Sequence, residues 1–380
     1  MSNFINPSVL AAEALDQLDY ELVAGSLVYR DKTAEFSNVR GLKVGDSVSI
    51  RTVTDFRTDE FNGVAIDSQE IQQSSTQLTI EKHFDVSVKI TSRERALNLD
   101  GVRKEIINPA MTSMAQKIDE YLLSKVSESQ GLFASGSLLV DAAAIASASR
   151  AANLQQIAKG GRIALVDDEL EATLLGTDVF HKFDVRGEPA VTALQEASMG
   201  RLMGIDWFST VNFPSTTRTA GAGITVLDNA LPTSNLQGSK FLIVLATVNT
   251  FEAGDKINIA GAKRSFTVSV QTLAGATVIP LVEQINENLT GLDGNAVTVV
   301  SSGLAYTQQG IIFNAGAYGF AAPPLDAAAG DRSGVASAAG LSVRVTEAYD
   351  IQTKETYWSF DMLVGAKAVD PRLSLLLGSQ

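Results

Sequence analysis

Between Gln77 and Ile90, apolar and polar residues alternate over fourteen positions. Leu78, Ile80, Phe84, Val86, Val88 and Ile90 fall on one side. Gln77, Thr79, Glu81, His83, Asp85, Ser87 and Lys89 fall on the other, and Lys82 is the single exception. Period two is the mark of a half-buried strand. At about 3.3 Å per residue this strand would reach roughly 45 Å. An average strand has about five or six residues, so the pattern predicts an element that projects from its domain. A second run, Leu42–Val53, alternates Val48, Ile50 and Thr52 with Ser47, Ser49 and Arg51 after turn chemistry at Gly45-Asp46. Thr54–Ser75, between the two, is polar and charged. The simplest reading is a long hairpin, strand 46–53 against strand 76–90. An isolated two-stranded hairpin is marginal in water. Its apolar face must rest on something, and for a projecting hairpin that partner is another subunit.

A helix follows. Ile107, Met111, Met114, Ile118, Leu122 and Val126 recur at spacings of three and four, giving one apolar stripe. Asn108-Pro109 fits a cap and first helical residue, or a kink inside a helix that begins near Gly101. Val102, Ile106 and Ile107 already carry the stripe, which favours the longer, kinked helix. Towards the N-terminus, Val9, Leu10, Ala14, Leu18 and Leu22 predict an arm helix over Pro7–Val23, with Ala24–Arg40 irregular. Further on, Ala142–Ile157 reads as a helix ended by Gly160-Gly161, Arg162–Val166 as a buried strand and Leu170–Leu175 as a helix. Phe180–Gly187 and Met199–Gly204 read as loops, and Gly204–Phe213 as a strand stopped by Pro214.

From Ser215 to Ser302 the chain turns rich in Gly, Thr, Val, Asn and Ala, with short strand patterns at Phe241–Val248, Lys256–Ile259, Ser265–Val270 and Ala296–Val300 and a short helix over Ile279–Leu289. This predicts an inserted β-rich domain of ordinary size. Leu304–Phe313 is mixed, and Ala315–Gly340, rich in Ala, Gly and Pro, reads as a loop. Leu341–Ala348 and Tyr357–Val364 alternate and are joined by the charged link Tyr349–Thr356, a hairpin. Val369–Leu377 closes the chain.

Composition narrows the function classes. A length of 380 residues suggests two or three domains. The net charge of −13 argues against a dedicated nucleic-acid binder and favours solubility at high concentration. The absence of cysteine removes disulfide and thiolate chemistry. Met1–Asp19 has no Lys or Arg and no apolar core of signal type, so synthesis in the cytoplasm is expected. The longest apolar run, Phe241–Val248, is too short to span a bilayer. His83 and His181 are the only histidines and lack neighbours at metal-ligand spacing. Asp167-Asp168-Glu169 suits a helix cap and dipole partner better than an acid–base pair. Gly221-Ala222-Gly223 lacks the strand-and-helix context of a nucleotide loop. No catalytic residue, metal site or cofactor is expected.

The order of elements resembles the major capsid proteins of tailed bacteriophages with the Hong Kong 97 fold. Within them it is most similar to the short-tailed-phage coat proteins that carry an inserted β domain. The strand-into-helix unit Leu78–Val126 matches the return strand of the extended loop and the spine helix. Met199–Pro214 resembles the axial-domain strand, and Ala253–Gly261 the inserted domain. Ser342–Gly365 follows the group's C-terminal hairpin most specifically. The resemblance implies an α+β, Hong Kong 97-like capsid fold. Its expected parts are an N-terminal arm (1–40), an extended β-hairpin loop (41–92), a peripheral domain with the spine helix (93–150), an axial domain (151–214), the inserted β-rich domain (215–302) and a completing segment with the C-terminal hairpin (303–380). It further implies hexamers and pentamers in an icosahedral shell, a scaffolding protein, a portal protein and packaged double-stranded DNA bound without sequence preference, with no membrane partner. The virion, assembled in the host cytoplasm, is then the expected location. The residues expected at contacts between subunits are Asp55, Phe56, Arg57, Asp59, Glu60, Phe61, Leu78, Ile80 and Phe84. The competing readings are an encapsulin-type bacterial compartment, a β-rich surface protein and an enzyme.

Overall fold

The computed structural model describes residues 7–30, 45–51, 75–91, 103–135, 139–181, 199–214, 217–219, 224–226, 240–244, 250–251, 253–259, 264–282, 285, 296–299, 305–326, 332–352 and 355–379. In chain order the strands are β1 Ser47–Arg51, β2 Ser75–Thr79, β3 Lys82–Thr91, β4 Gly131–Ser135, β5 Arg162–Val166, β6 Gly200–Leu202, β7 Ile205–Ser209, β8 Thr217–Thr219, β9 Ile224–Val226 and β10 Phe241–Ile243. They continue as β11 Lys256–Ile259, β12 Ser265–Thr267, β13 Val278–Pro280, β14 Ala296–Val299, β15 Ala305–Asn314, β16 Tyr318–Ala321, β17 Arg332–Ala338, β18 Leu341–Asp350, β19 Glu355–Ala368 and β20 Ser374–Ser379. The chain divides into two compact units, one of Met1–Ser49, Gln77–Lys125 and Tyr318–Val369, the other of Ile50–Thr76, Val126–Ala317 and Asp370–Gln380.

The first unit is built on a five-stranded sheet in the order β16-β19-β18-β17, with β3 also pairing β19. The C-terminal hairpin expected from the sequence is β18–β19, in antiparallel register from Arg344↔Asp361 to Asp350↔Glu355. Its alternation sends Val343, Val345, Trp358, Phe360, Met362 and Val364 into the core. The N-terminal helix Pro7–Glu21 and the long helix Asn108–Ser124 pack against this sheet and against each other. The N-terminal stripe buries Leu10, Ala14, Leu18 and Leu22, while Val9 points outward at 47% exposure.

The long helix is preceded by one π-helical turn, Arg103–Ile107, with Ile107 already in helical geometry. The longer reading therefore describes the chain, and Asn108 is not its cap. Pro109 cannot donate to the carbonyl four residues back, and its ring crowds that carbonyl. A π turn just upstream is a place where a helix absorbs such a misfit. The Thr112 hydroxyl then donates to the Asn108 carbonyl at 2.9 Å.

The second unit carries a seven-stranded sheet, β4-β20-β15-β5-β7-β6, with β8 also pairing β15. The helices Ala142–Leu154 and Asp168–Leu175 lie with it, and Ile145, Ala148, Leu170, Leu174, Phe180, Trp207 and Ile312 share its core. β6 and β7 form a tight hairpin through Met203 and Gly204, both at positive φ (51° and 79°). The insertion leaves the sheet from β8 and returns on β15, its antiparallel neighbour. Its own strands form the sheet β12-β11-β14-β9 and the pair β10–β13, around Leu242, Phe251, Ile257, Phe266, Ile279 and Leu281.

Several expectations fail for identifiable reasons. Ala315–Gly340 is not one loop, because it contains β16 and β17. β16 is buried at all four residues, so it has no alternation to read. β17 is rich in small residues because the N-terminal helix runs directly over it: a Cβ at Gly334 would lie 2.6 Å from the Pro7 carbonyl oxygen. Residues 279–280 belong to β13 rather than to a helix, and Pro280 was the warning sign. Leu304–Phe313 contains most of β15, the strand between β20 and β5. Its Gly310 lies against the Leu165 carbonyl and the Val166 side chain.

Replacing Gly334→Ala should force the N-terminal helix off β17 and destabilise the first unit by about 1–3 kcal/mol, the usual range for overpacking. Chemical denaturation of the two proteins measures this, and an unchanged midpoint would show that the close approach is not a constraint.

Candidate functional site

The expected fourteen-residue strand is two strands. β2 pairs with β1, whereas β3 pairs with β19 from Lys82↔Val364 to Glu355↔Thr91. The switch occurs at Ile80 and Glu81. The Ile80 amide donates to the Asp46 carbonyl (2.9 Å) and its carbonyl accepts from Gly45 (2.8 Å), whereas the Glu81 amide donates to the Val364 carbonyl (3.2 Å). Lys82, the break in the alternation, marks the crossing. Gly365 makes the crossing possible, since a Cβ there would sit 3.2 Å from the Ile80 Cα and press on the Thr79 carbonyl.

Around this point the side chains are ordered. Tyr121 Oη donates to Glu81 Oε2 at 2.8 Å and accepts from the Ala366 amide at 3.3 Å. Lys125 Nζ lies 3.0 Å from the same Glu81 oxygen and 5.4 Å from the Tyr121 ring centroid. Burial pulls the Glu81 carboxyl upward, but the hydrogen bonds from Lys125 and Tyr121 and the charges of Lys125 and Lys367 hold it below its ordinary value. A partly exposed ion pair of this kind contributes about 0–1 kcal/mol, so its effect is on geometry more than on stability.

Of the residues expected at subunit contacts, Leu78 and Ile80 are fully buried. Their own chain already covers them, which leaves no side-chain surface for a neighbour. Phe84 is half-buried and meets Tyr121 edge to face, with ring centroids 6.3 Å apart. Asp55, Phe56, Arg57, Asp59, Glu60 and Phe61 lie outside the described residues.

The outer face of β3, β19 and β18 is polar. Asp85 and Asp361 stand opposite each other, a pairing that like charge disfavours. Arg344 compensates by donating to Asp361 Oδ2 from Nε (3.1 Å) and Nη2 (2.7 Å). Ser359 donates to Asp85, as does Ser87 at 2.9 Å. Burial pulls the Asp85 carboxyl upward, yet these hydrogen bonds hold it below its ordinary value. His83 lies 3.7 Å from Asp361, and His181 ends the short helix Asp178–His181. Among the described residues, no group of three or more His, Cys, Asp or Glu is placed to hold a metal ion.

Four buried polar residues escaped the sequence reading. Asp119 sits on the long helix at 1% exposure and accepts from the amides of Val23 (3.0 Å) and Gly25 (2.9 Å). Burial raises its carboxyl above the ordinary value despite those bonds. Lys256 is 2% exposed and donates to the Ser129 carbonyl and, at 2.9 Å, to Thr267 Oγ1. Gln130 and Gln155 both donate to Ser265, at 2.6 and 3.0 Å, so β11 and β12 are tied to the body of the second unit. Glu81, Tyr121 and Lys125 carried one readable signal: Lys125 follows Tyr121 by four residues, one helical turn on the same face. Nothing in the sequence pointed to Asp119, which falls beside the apolar stripe.

Asp167 is a helix cap, accepting from the Leu170 amide at 2.8 Å. Desolvation raises its carboxyl to about 6, and the charges of Asp168 and Glu169 push the same way.

No protein-family model matches the chain, and no curated protein matches it in sequence. Solved structures do match. A structure of Mycobacterium phage Che8 superposes with TM-score 0.52 at 13% identity, covering 94% of this chain and 90% of that one. The capsid of cyanophage P-SCSP1u gives 0.48 at 15% identity over 90% and 85%. A virus-like particle from Pyrococcus furiosus gives 0.43 at 10% identity over 97% of both chains. The matching structures are mostly phage capsids. The chain has the α+β fold of Hong Kong 97-type capsid proteins. No helix among the described residues is long and apolar enough to cross a membrane.

The Asp167 carboxyl binds its proton more tightly in the folded chain than its ordinary value of 3.8 allows. The stability it contributes is therefore present below about pH 4 and is lost as pH rises through about 6. Asp167→Asn keeps a competent cap and cannot ionise. Its melting temperature should rise relative to the parent between about pH 4 and about pH 7. Parallel melting curves at the two pH values that show a constant difference would refute the shift.

Proposed function

We propose that this protein is the major subunit of an icosahedral shell that encloses phage double-stranded DNA. The observation that carries the reading is the Hong Kong 97-type fold, matched over nearly the whole chain. Two further features support it. The polar and charged segment Thr54–Ser75 lies between the two strand patterns in the sequence and offers residues suited to contact a neighbour. The net charge of −13 suits a wall that must not cling to phosphate. On this reading the subunits form hexamers and pentamers, guided by a scaffolding protein and joined by a portal protein, in the host cytoplasm. The contacts between subunits fall on Asp55, Phe56, Arg57, Asp59, Glu60, Phe61 and the half-buried Phe84. Charged pairs there supply specificity more than affinity.

Electron microscopy and light scattering of the expressed protein should find shells, tubes or capsomers. A stable monomer under every condition, scaffolding protein included, overturns the reading. Particles purified from the native source should contain DNA. A protein cargo instead would identify an encapsulin-type compartment, which is built on the same fold. Deleting Thr54–Ser75 should leave a folded subunit that assembles poorly, and normal shells from that variant would exclude the segment as an assembly contact.

A further inference from the structure

We infer that Glu81, Tyr121 and Lys125 form a latch that sets the angle between β2 and β3 where the chain exchanges β1 for β19 as its partner. The inference deepens the shell reading, on which its consequence for assembly rests.

Within one residue the chain exchanges β1 for β19 as its partner: Ile80 bonds to Gly45 and Asp46, and Glu81 bonds to Val364. Among the described residues the ladder changes partner at that step, and the buried Leu78 and Ile80 anchor the base of the hairpin on the near side of it. Such a joint is a place where two rigid elements turn against each other. The missing Cβ of Gly365 lets Thr79 and Ile80 pass close over β19.

The side chains supply what the backbone lacks. Glu81 is the residue at the joint; of its partners, Tyr121 stands on the long helix and Lys125 at that helix's C-terminal cap. Tyr121 is 9% exposed and holds its hydroxyl between the Ala366 amide and Glu81 Oε2. That hydroxyl ties three elements together: β19, the long helix and the joint. Lys125 closes the network with its ion pair to Glu81 and its position over the Tyr121 ring. One feature makes this a latch and not part of the core: Glu81 meets its partners through polar contacts, with its side chain 40% exposed.

Tyr121, Glu81 and Lys125 are thus positioning residues. The hairpin should keep its strand pairing when they are changed and lose its fixed orientation. Because the chain has no cysteine, paired spin labels can be placed without background at Gln77→Cys on β2 and Gln116→Cys on the long helix, both exposed positions. The labelled full-length subunit, diluted into unlabelled protein, is read by pulsed electron–electron resonance. Glu81→Gln, Tyr121→Phe and Lys125→Met should each broaden the distance distribution about twofold, as further hairpin orientations become populated. The melting temperature should stay within about 3 °C of the parent. Glu81→Lys combined with Lys125→Glu restores the ion pair in reverse and should narrow the distribution again, which a general loss of stability would not do. Distributions as narrow as the parent in all three single variants overturn the latch. So does a double variant no narrower than Glu81→Lys alone. Electron microscopy of the same variants keeps the two proposals apart. Broadening in a protein that never forms particles supports the latch and sinks the shell reading. Regular particles with an unmoved hairpin sink the latch and leave the shell reading standing.

Discussion

The first unit depends on covering one face of a single strand. β19 runs for fourteen residues, about 46 Å at the rise of an extended chain. Trp358, Phe360, Met362 and Val364 line one side of it and are buried. β18 and β3 extend that apolar face sideways, with Val345 and Val86 both paired to Phe360. Two helices close it from above. Burial of this face accounts for the elements the chain places around it: a hairpin on one edge, a strand recruited from far upstream on another, and an N-terminal helix that lies flat. The N-terminal helix, read as an arm, is in this structure part of the lid.

Polar groups then settle what apolar packing leaves free. Asp119 takes the amides of Val23 and Gly25 from inside the core. Its carboxyl is driven upward by burial, and the anchor therefore carries a cost in desolvation. Glu81 lies at the other extreme, partly exposed and held below its ordinary value by its partners. One group fastens a segment permanently; the other fixes an angle at small energetic cost. The insertion in the second unit repeats the pattern. It starts and finishes on adjacent strands, β8 and β15, so it interrupts the sheet without opening it. It has a small core of its own, and Lys256, Gln130 and Gln155 tie that core to the body.

A good deal of this was legible in the sequence, wherever one face is buried and the other wet. The C-terminal hairpin, the long helix, β5, β11 and the cap at Asp167 all announce themselves through period or through local hydrogen-bonding chemistry. Those signals depend only on neighbours in the chain. Two of the strands that escaped notice show why. β16 is buried on both faces and β17 is made of small residues, so neither shows alternation. Their identity as strands comes from β19 and from the helix above them.

The partner of a strand is likewise not written in its own residues. Gln77–Ile90 fixes which side chains face inward, and it does so correctly for Leu78 and Ile80. It does not say that the first half pairs with β1 and the second with β19, because a strand offers the same backbone donors and acceptors to either. The pairing was decided by where β19 lies once its apolar face is packed. The expectation that the hairpin's greasy side needs a second subunit failed at Leu78 and Ile80 for the same reason: that cover came from distant segments of the chain itself. Sequence alone determined the local elements and the inward-facing set. Only the tertiary structure decided which elements meet, since contact between distant segments is a property of the packed whole and not of any window of residues.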